Sequence, residues 1–164
     1  MRRTLLGCMA LAWVLAGCGA SADTAAQTAA LQKTADTYAI AQIEANWHKA
    51  ASEKNVDLIV SLFANNGVLT VGPTSYTGKA QLRDFFATKA GSFKPENHWI
   101  SETPAYKIRV TVNGDTGTLY FECHYVDVDT RVLKSVVAAN DTVARINGKW
   151  LITKSLTGTA VLSP

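Results

Sequence analysis

Cysteine is nearly absent from the part of this chain that can fold. Of three cysteines in 164 residues, Cys8 and Cys18 fall in or just after an N-terminal apolar stretch, which leaves Cys123 as the one ordinary thiol. An intrachain disulfide is therefore excluded, even in an oxidising compartment. Net charge is also scarce. Sixteen Lys and Arg face thirteen Asp and Glu, and loss of Arg2 and Arg3 with the leader would leave fourteen against thirteen. No Lys/Arg stripe marks a nucleic-acid surface. There is no internal repeat, and the longest apolar stretch, Leu5–Leu15, is too short to span a bilayer as a stable helix.

What that stretch does have is the form of an export signal. Arg2 and Arg3 give the charged start, Leu5–Leu15 the apolar core, and Leu15-Ala16-Gly17-Cys18 the end. The last four residues resemble the bacterial lipobox, in which cleavage precedes a cysteine that is then lipidated. The expectation is a signal over residues 1–17 and a lipid on Cys18 that holds the protein to the cell envelope. Without an acidic residue after Cys18, this would be the outer membrane in a Gram-negative cell; the alternative is a plain secreted or periplasmic protein. Residues 18–35 are small and polar and read as a flexible tether. A single domain over residues 36–158 follows, then a short tail over 159–164.

Asp36 or Thr37 can cap a first helix running to about Glu53, with Ile40, Ile43, Trp47 and Ala50 or Ala51 as its apolar stripe. Glu44 and His48, four apart, read as an exposed pair. Asn55 caps a second helix over Val56–Ala64, and Asn65-Asn66-Gly67 turns into a short strand over Val68–Val71. Gly78 opens a third helix to about Lys89, anchored by Leu82, Phe85 and Phe86, with Lys79 and Arg83 on a solvated face. From Asn97 the pattern is β. Trp99–Ser101, Tyr106–Val112, Thr118–Asp129, Leu133–Ile146 and Trp150–Thr157 alternate with Asn-Gly turns at 113–114 and 147–148. Helices first and a meander of antiparallel strands after is an α+β pattern.

The strand Thr118–Asp129 carries the densest chemistry. As an extended chain it sends Leu119, Phe121, Cys123 and Tyr125 to one face and Tyr120, Glu122, His124 and Val126 to the other. The first face is apolar; the second sets a phenol, an acid and an imidazole among carbon. The two faces must meet different surroundings.

These phrases together are similar to the SnoaL-like branch of the nuclear transport factor 2-like superfamily. They are the helix-one Trp47, Leu62-Phe63-Ala64, Gly78 with Phe85-Phe86, Gly114-Asp115-Thr116, and Arg145-x-x-Gly148-x-Trp150. The resemblance covers about Ala35–Gly158. It implies a cone, with a strongly curved sheet wrapping three helices around a pocket, and often a homodimer through the outer sheet face. It also implies that Tyr120, Glu122, His124 and Val126 look into the pocket with Trp47, Asn140 and Thr142. Leu119, Phe121, Cys123 and Tyr125 are then left for the partner subunit. The positions of the steroid isomerases in this superfamily fall on Trp47, Gly72 and near Thr142, which removes that chemistry. The strand-opening histidine of its dehydratases matches His98, whose orienting carboxylate falls near Ser52. The cyclase aspartate comes nearest to Asp141, which points outward if Asn140 points in.

Three functions follow as expectations. The first is an envelope-anchored domain binding a small, largely apolar organic ligand in the pocket. The second is a cofactor-independent lyase or isomerase, with His98 or His124 as base, Glu122 raised towards neutrality by desolvation, and Tyr120 or Trp47 as donor. The third is a structural homodimerisation domain. No cofactor is expected. His98, His124 and Glu122 form only a weak metal-ligand set, and Cys123 reads as a buried, inert thiol.

Overall fold

The computed structural model describes residues 19–159, with side chains described over 22–158. The expected signal and Cys18 lie outside the described residues, as do the last residues of the tail. Two compact units are present. The first ends at Gln32 and consists, where described, of helix; the second begins at Lys33. No described helix is long and apolar enough to cross a membrane.

Helix α1 spans Gly19–Glu53 and α2 spans Val56–Ser61. The expected flexible tether is therefore helical over residues 19–35. Ala20, Ala22, Ala25, Ala26, Ala29 and Ala30, with Leu31, Gln32 and Lys33, carry high helix propensity and contain no breaker. Asp36 does not cap a helix start. It is buried within α1, accepts from Trp150 Nε1 at 3.2 Å, and pairs with Arg145 Nη2 at 2.5 Å. Arg145 Nε reaches Asp115 at 2.9 Å, and its guanidinium lies over the Trp150 ring at 4.9 Å. This latch ties the helix to the sheet end.

The sheet has seven strands: β1 Phe63–Val71, β2 Thr74–Thr77, β3 Trp99–Glu102, β4 Arg109–Asn113, β5 Thr116–Asp127, β6 Val132–Ile146 and β7 Lys149–Thr159. Their order is β2-β1-β7-β6-β5-β3, and β4 also pairs with β5. Only β1 and β7 run parallel; the other pairs are antiparallel. The first strand begins five residues earlier than expected, because Ile152 N–H donates to Leu62 O at 2.8 Å and draws the chain onto β7 directly after α2. Helix α3, Gly78–Asp84, passes into a π-helical turn over Phe85–Lys89 and a 3-10 turn over Gly91–Phe93. Lys79 is not solvated. Its ammonium donates to Val60 O and Phe63 O at 2.7 and 2.5 Å, closing the carbonyl end of α2.

The core lies between the helices and one sheet face. Ile40, Ile43, Trp47 and Ala50 of α1 are buried with Leu119, Phe121 and Cys123 of β5 and Val143 and Ile152 of β6 and β7. Gly117 permits this closeness, since a Cβ there would lie 2.5 Å from Thr111 O and 3.1 Å from Ile40 Cδ1.

Candidate functional site

The face assignment inverts on β5. Leu119, Phe121 and Cys123 are at most 1% exposed and Tyr125 is 7% exposed; all four pack inside, under the helices. They are therefore not available to a partner subunit. Tyr120, Glu122, His124 and Val126 occupy the opposite face. The reason is the ordinary one: the apolar stripe of α1 needs an apolar sheet face, and burial of that area outweighs any polar arrangement.

A cavity of about 500 Å³ opens on the inner face. Its walls come from Trp47 of α1, Leu69 and Val71 of β1, Phe85 and Phe86, Trp99 of β3, Cys123 and Tyr125 of β5, Val137 of β6 and Thr157 of β7. The π-helical turn shapes one wall. Ala90 N–H donates to Phe85 O at 2.9 Å, a widened turn that brings Phe85, Phe86, Lys89 and Ala90 all to the cavity. Rings pack around Trp47, with Phe121 at 5.5 Å and Phe63 and Phe86 each at 5.9 Å. Lys54, at the end of α1, holds the rim by donating to Ser92 O at 3.1 Å and Trp99 O at 2.8 Å.

Few polar atoms reach this interior, and two residues matter. Trp47 is 4% exposed and its indole N–H makes no well-formed hydrogen bond, although it lies near enough to Cys123 and Tyr125 to pull against the rise of their pKa values. An orphaned buried donor costs on the order of 1–3 kcal/mol, which an acceptor would recover. Asp141 is 3% exposed, two inward positions beyond Val137 on β6, with Ser155 as its register partner on β7. Neither carboxyl oxygen has a hydrogen-bond partner. Burial pushes its pKa up to about 7, and the neighbouring Ser155 hydroxyl pulls against that rise. Burial likewise pushes the Cys123 thiol up to about 12. At pH 8, Cys123 should resist iodoacetamide in the native protein and react on unfolding, as mass spectrometry of the labelled chain would show; rapid native labelling would contradict this burial.

The expected acid–base set lies elsewhere. Glu122 is 1% exposed but sits on the outer face, where its carboxylate accepts from Tyr120 Oη at 2.9 Å, His124 Nε2 at 3.0 Å and Lys107 Nζ at 3.1 Å. Burial pushes its pKa up, but the bonds from His124, Tyr120 and Lys107 outweigh that and hold it below the ordinary glutamate range, not raised towards neutrality. The Arg109 guanidinium lies over the Tyr120 ring at 4.0 Å. This is a satisfied network on the far side of the sheet from the cavity. His98 is largely exposed and pairs with Asp129 at 2.5 Å. Val126 is half-buried on the outer face, and Asn140 and Thr142 are exposed there. The parity that turns them out turns Asp141 in. Of the expected pocket residues, only Trp47 lines the cavity.

Glu44 and His48 do pair, at 3.0 Å, but buried. Thr103 Oγ1 donates to Glu122 O, so its contact with His48 Nε2 at 2.5 Å makes that nitrogen the donor. His48 Nδ1 meets Ser101 Oγ at 2.6 Å. The imidazole thus rivets α1 to β3. Among the described residues, no group of three or more His, Cys, Asp or Glu could hold a metal ion.

The SnoaL-like domain profile matches residues 32–155, most of the chain and all of the cavity wall except Thr157. The chain belongs to the SnoaL-like family. Solved structures agree on the fold. An NTF2-like protein with a cystatin-like fold from Novosphingobium aromaticivorans superposes with a TM-score of 0.72 at 18% identity, covering 90% of this chain and 94% of that one. A protein of unknown function with a cystatin-like fold from Nostoc punctiforme gives 0.66 at 19% identity, over 76% and 91%. A hexachlorocyclohexane dehydrochlorinase from Novosphingobium barchaimii gives 0.65 at 17% identity, over 82% and 92%. No curated protein matches the sequence. A shared fold does not fix an activity, so function must be argued from this chain's own cavity.

Proposed function

We propose that this domain binds a small, largely apolar organic molecule in the inner cavity. The observation that carries this reading is the aromatic-walled space of about 500 Å³ on the inner face, a size suited to a small ligand. An apolar ring system matches it, with the rings covering Trp47, Phe86 and Trp99. Titration with 1-pyrenebutanol, followed by quenching of tryptophan emission, tests it. Saturable micromolar binding is expected, lost in Val137→Trp, where a large ring fills the cavity. Binding unchanged by that substitution would place the probe outside the cavity and reject the reading.

A second reading, cofactor-independent proton transfer, is favoured by one observation: Asp141 is a carboxyl with a near-neutral pKa on the inner face. A ligand would have to reach past Ala139 to meet it. His98, His124, Glu122 and Tyr120 have no part in this reading. Export and lipid attachment at Cys18 are proposed separately, from the leader sequence alone. Labelled palmitate should enter the wild-type chain and not Cys18→Ser; equal labelling, or none in either, would reject the anchor.

A further inference from the structure

The cavity wall is uneven in charge. Its lining contains no carboxylate, and its two charged residues, Lys89 and Lys134, are both cations and both exposed. Lys89 is half exposed; it pairs with Asp84 at 3.3 Å and lies over the Tyr76 ring at 5.2 Å. Lys134 makes no ion pair among the described residues, though Asp127 is close enough to feel its charge. Lys89 approaches from the π-helical turn and Lys134 from the start of β6. The two cations therefore come to the wall from opposite sides, one from the helical layer and one from the sheet.

The interior would reject a charge. Leu69, Phe86 and Val137 offer no hydrogen bonds to replace water, so an ionised group carried inward would lose most of its hydration uncompensated. A ligand bearing both an apolar body and an anion would enter body first and leave its charge in water beside the lysines.

Resting on the cavity reading above, we infer that the ligand class is an organic anion: an aromatic or alicyclic body with a carboxylate or sulfonate at the end that faces Lys89 and Lys134. A carboxylate about 4 Å from one such ammonium in a watery setting gains about fivefold in affinity, since the attraction is near 1 kcal/mol. Two lysines give about five- to twentyfold, and salt must erode the gain, because the Debye length falls from about 10 Å at 0.1 M to 3 Å at 1 M.

The test uses three probes of one body on the full chain: 1-pyrenebutyrate, 1-pyrenebutanol and 1-pyrenebutylammonium. At low ionic strength the butyrate should bind about five- to twentyfold more tightly than the alcohol, and the ammonium more weakly than either. In Lys89→Gln/Lys134→Gln, which removes both charges without adding a carboxylate beside Asp84, the ratio of butyrate to alcohol affinity should fall to within about twofold of one. Equal binding of butyrate and alcohol, or tighter binding of the ammonium, overturns the charge assignment and leaves the cavity reading standing. Failure of all three probes to bind overturns both.

Discussion

Asp141→Asn should remove a fall in stability that the wild-type protein suffers as pH rises from 5 to 8. The carboxyl's folded pKa of about 7 lies above its ordinary 3.8. The native state therefore holds the proton more tightly than the unfolded chain. Its contribution is undiminished below about pH 4, declines through the interval up to about 7, and stays lost above it. The full penalty is about 4 kcal/mol, at 1.36 kcal/mol per unit, and about 2–3 kcal/mol of it accrues between pH 5 and 8. Urea unfolding of both proteins at several pH values measures it. The difference between them isolates Asp141 from every group the two proteins share. Glu122 acts in the opposite direction and in another window. Its pKa is held down, so its contribution is present at neutral pH and is lost as pH falls through the acid range. A wild-type profile parallel to that of the asparagine variant would mean that Asp141 is solvated or paired.

Trp47→Ala should cost about 3–5 kcal/mol, the usual range for emptying a large aromatic site in a packed core. The indole touches Phe63, Phe86 and Phe121, which come from β1, the π-helical turn and β5. Its loss opens the cavity floor on three sides. A loss of that size is a large share of the whole stability of a domain this long, so the binding role needs a gentler change. Trp47→Phe keeps a ring but removes the orphaned N–H, and its stability should fall by about 1 kcal/mol or less, because deleting an unpaired donor offsets part of the lost contact. Binding of 1-pyrenebutanol should weaken in that variant by about two- to threefold, because the smaller ring leaves less wall for the probe. Thermal melts and the same fluorescence titration check both halves. A loss of tenfold or more would show that the indole N–H itself bonds the probe.

The sequence shows the stripe Ile40, Ile43, Trp47 and Ala50 clearly, because helical spacing is written in residue types. The long strands were equally plain, bounded by Asn-Gly turns whose Asn147 and Gly148 do take positive φ. The helical state of residues 19–35 is hidden because small, polar residues also suit a loose tether, although alanine favours helix. The two faces of β5 differ plainly in residue type, but only the resemblance points the even-numbered face inward, and the structure reverses it. The residues already held the answer. An apolar helix stripe seeks an apolar sheet face, and the odd-numbered face was the apolar one. Glu122 misled because a buried carboxylate looks catalytic, yet its three donors include Lys107, fifteen residues away on a 3-10 turn that alternation does not reveal. Asp141 escaped for the same reason in reverse, since its orientation depended on the parity chosen for Asn140. The π-helical turn at Phe85–Lys89 has no periodic signature.

The indole N–H resonances of a 15N-labelled sample, followed during titration with 1-pyrenebutanol, test most directly that ligands enter on the inner face. Trp47 and Trp99 line the cavity, whereas Trp150 sits in the latch with Asp36 and Arg145. The account predicts saturable shifts of the Trp47 and Trp99 signals with Trp150 unmoved. Still signals from Trp47 and Trp99, with the perturbation falling on Tyr120 and His124, would contradict it.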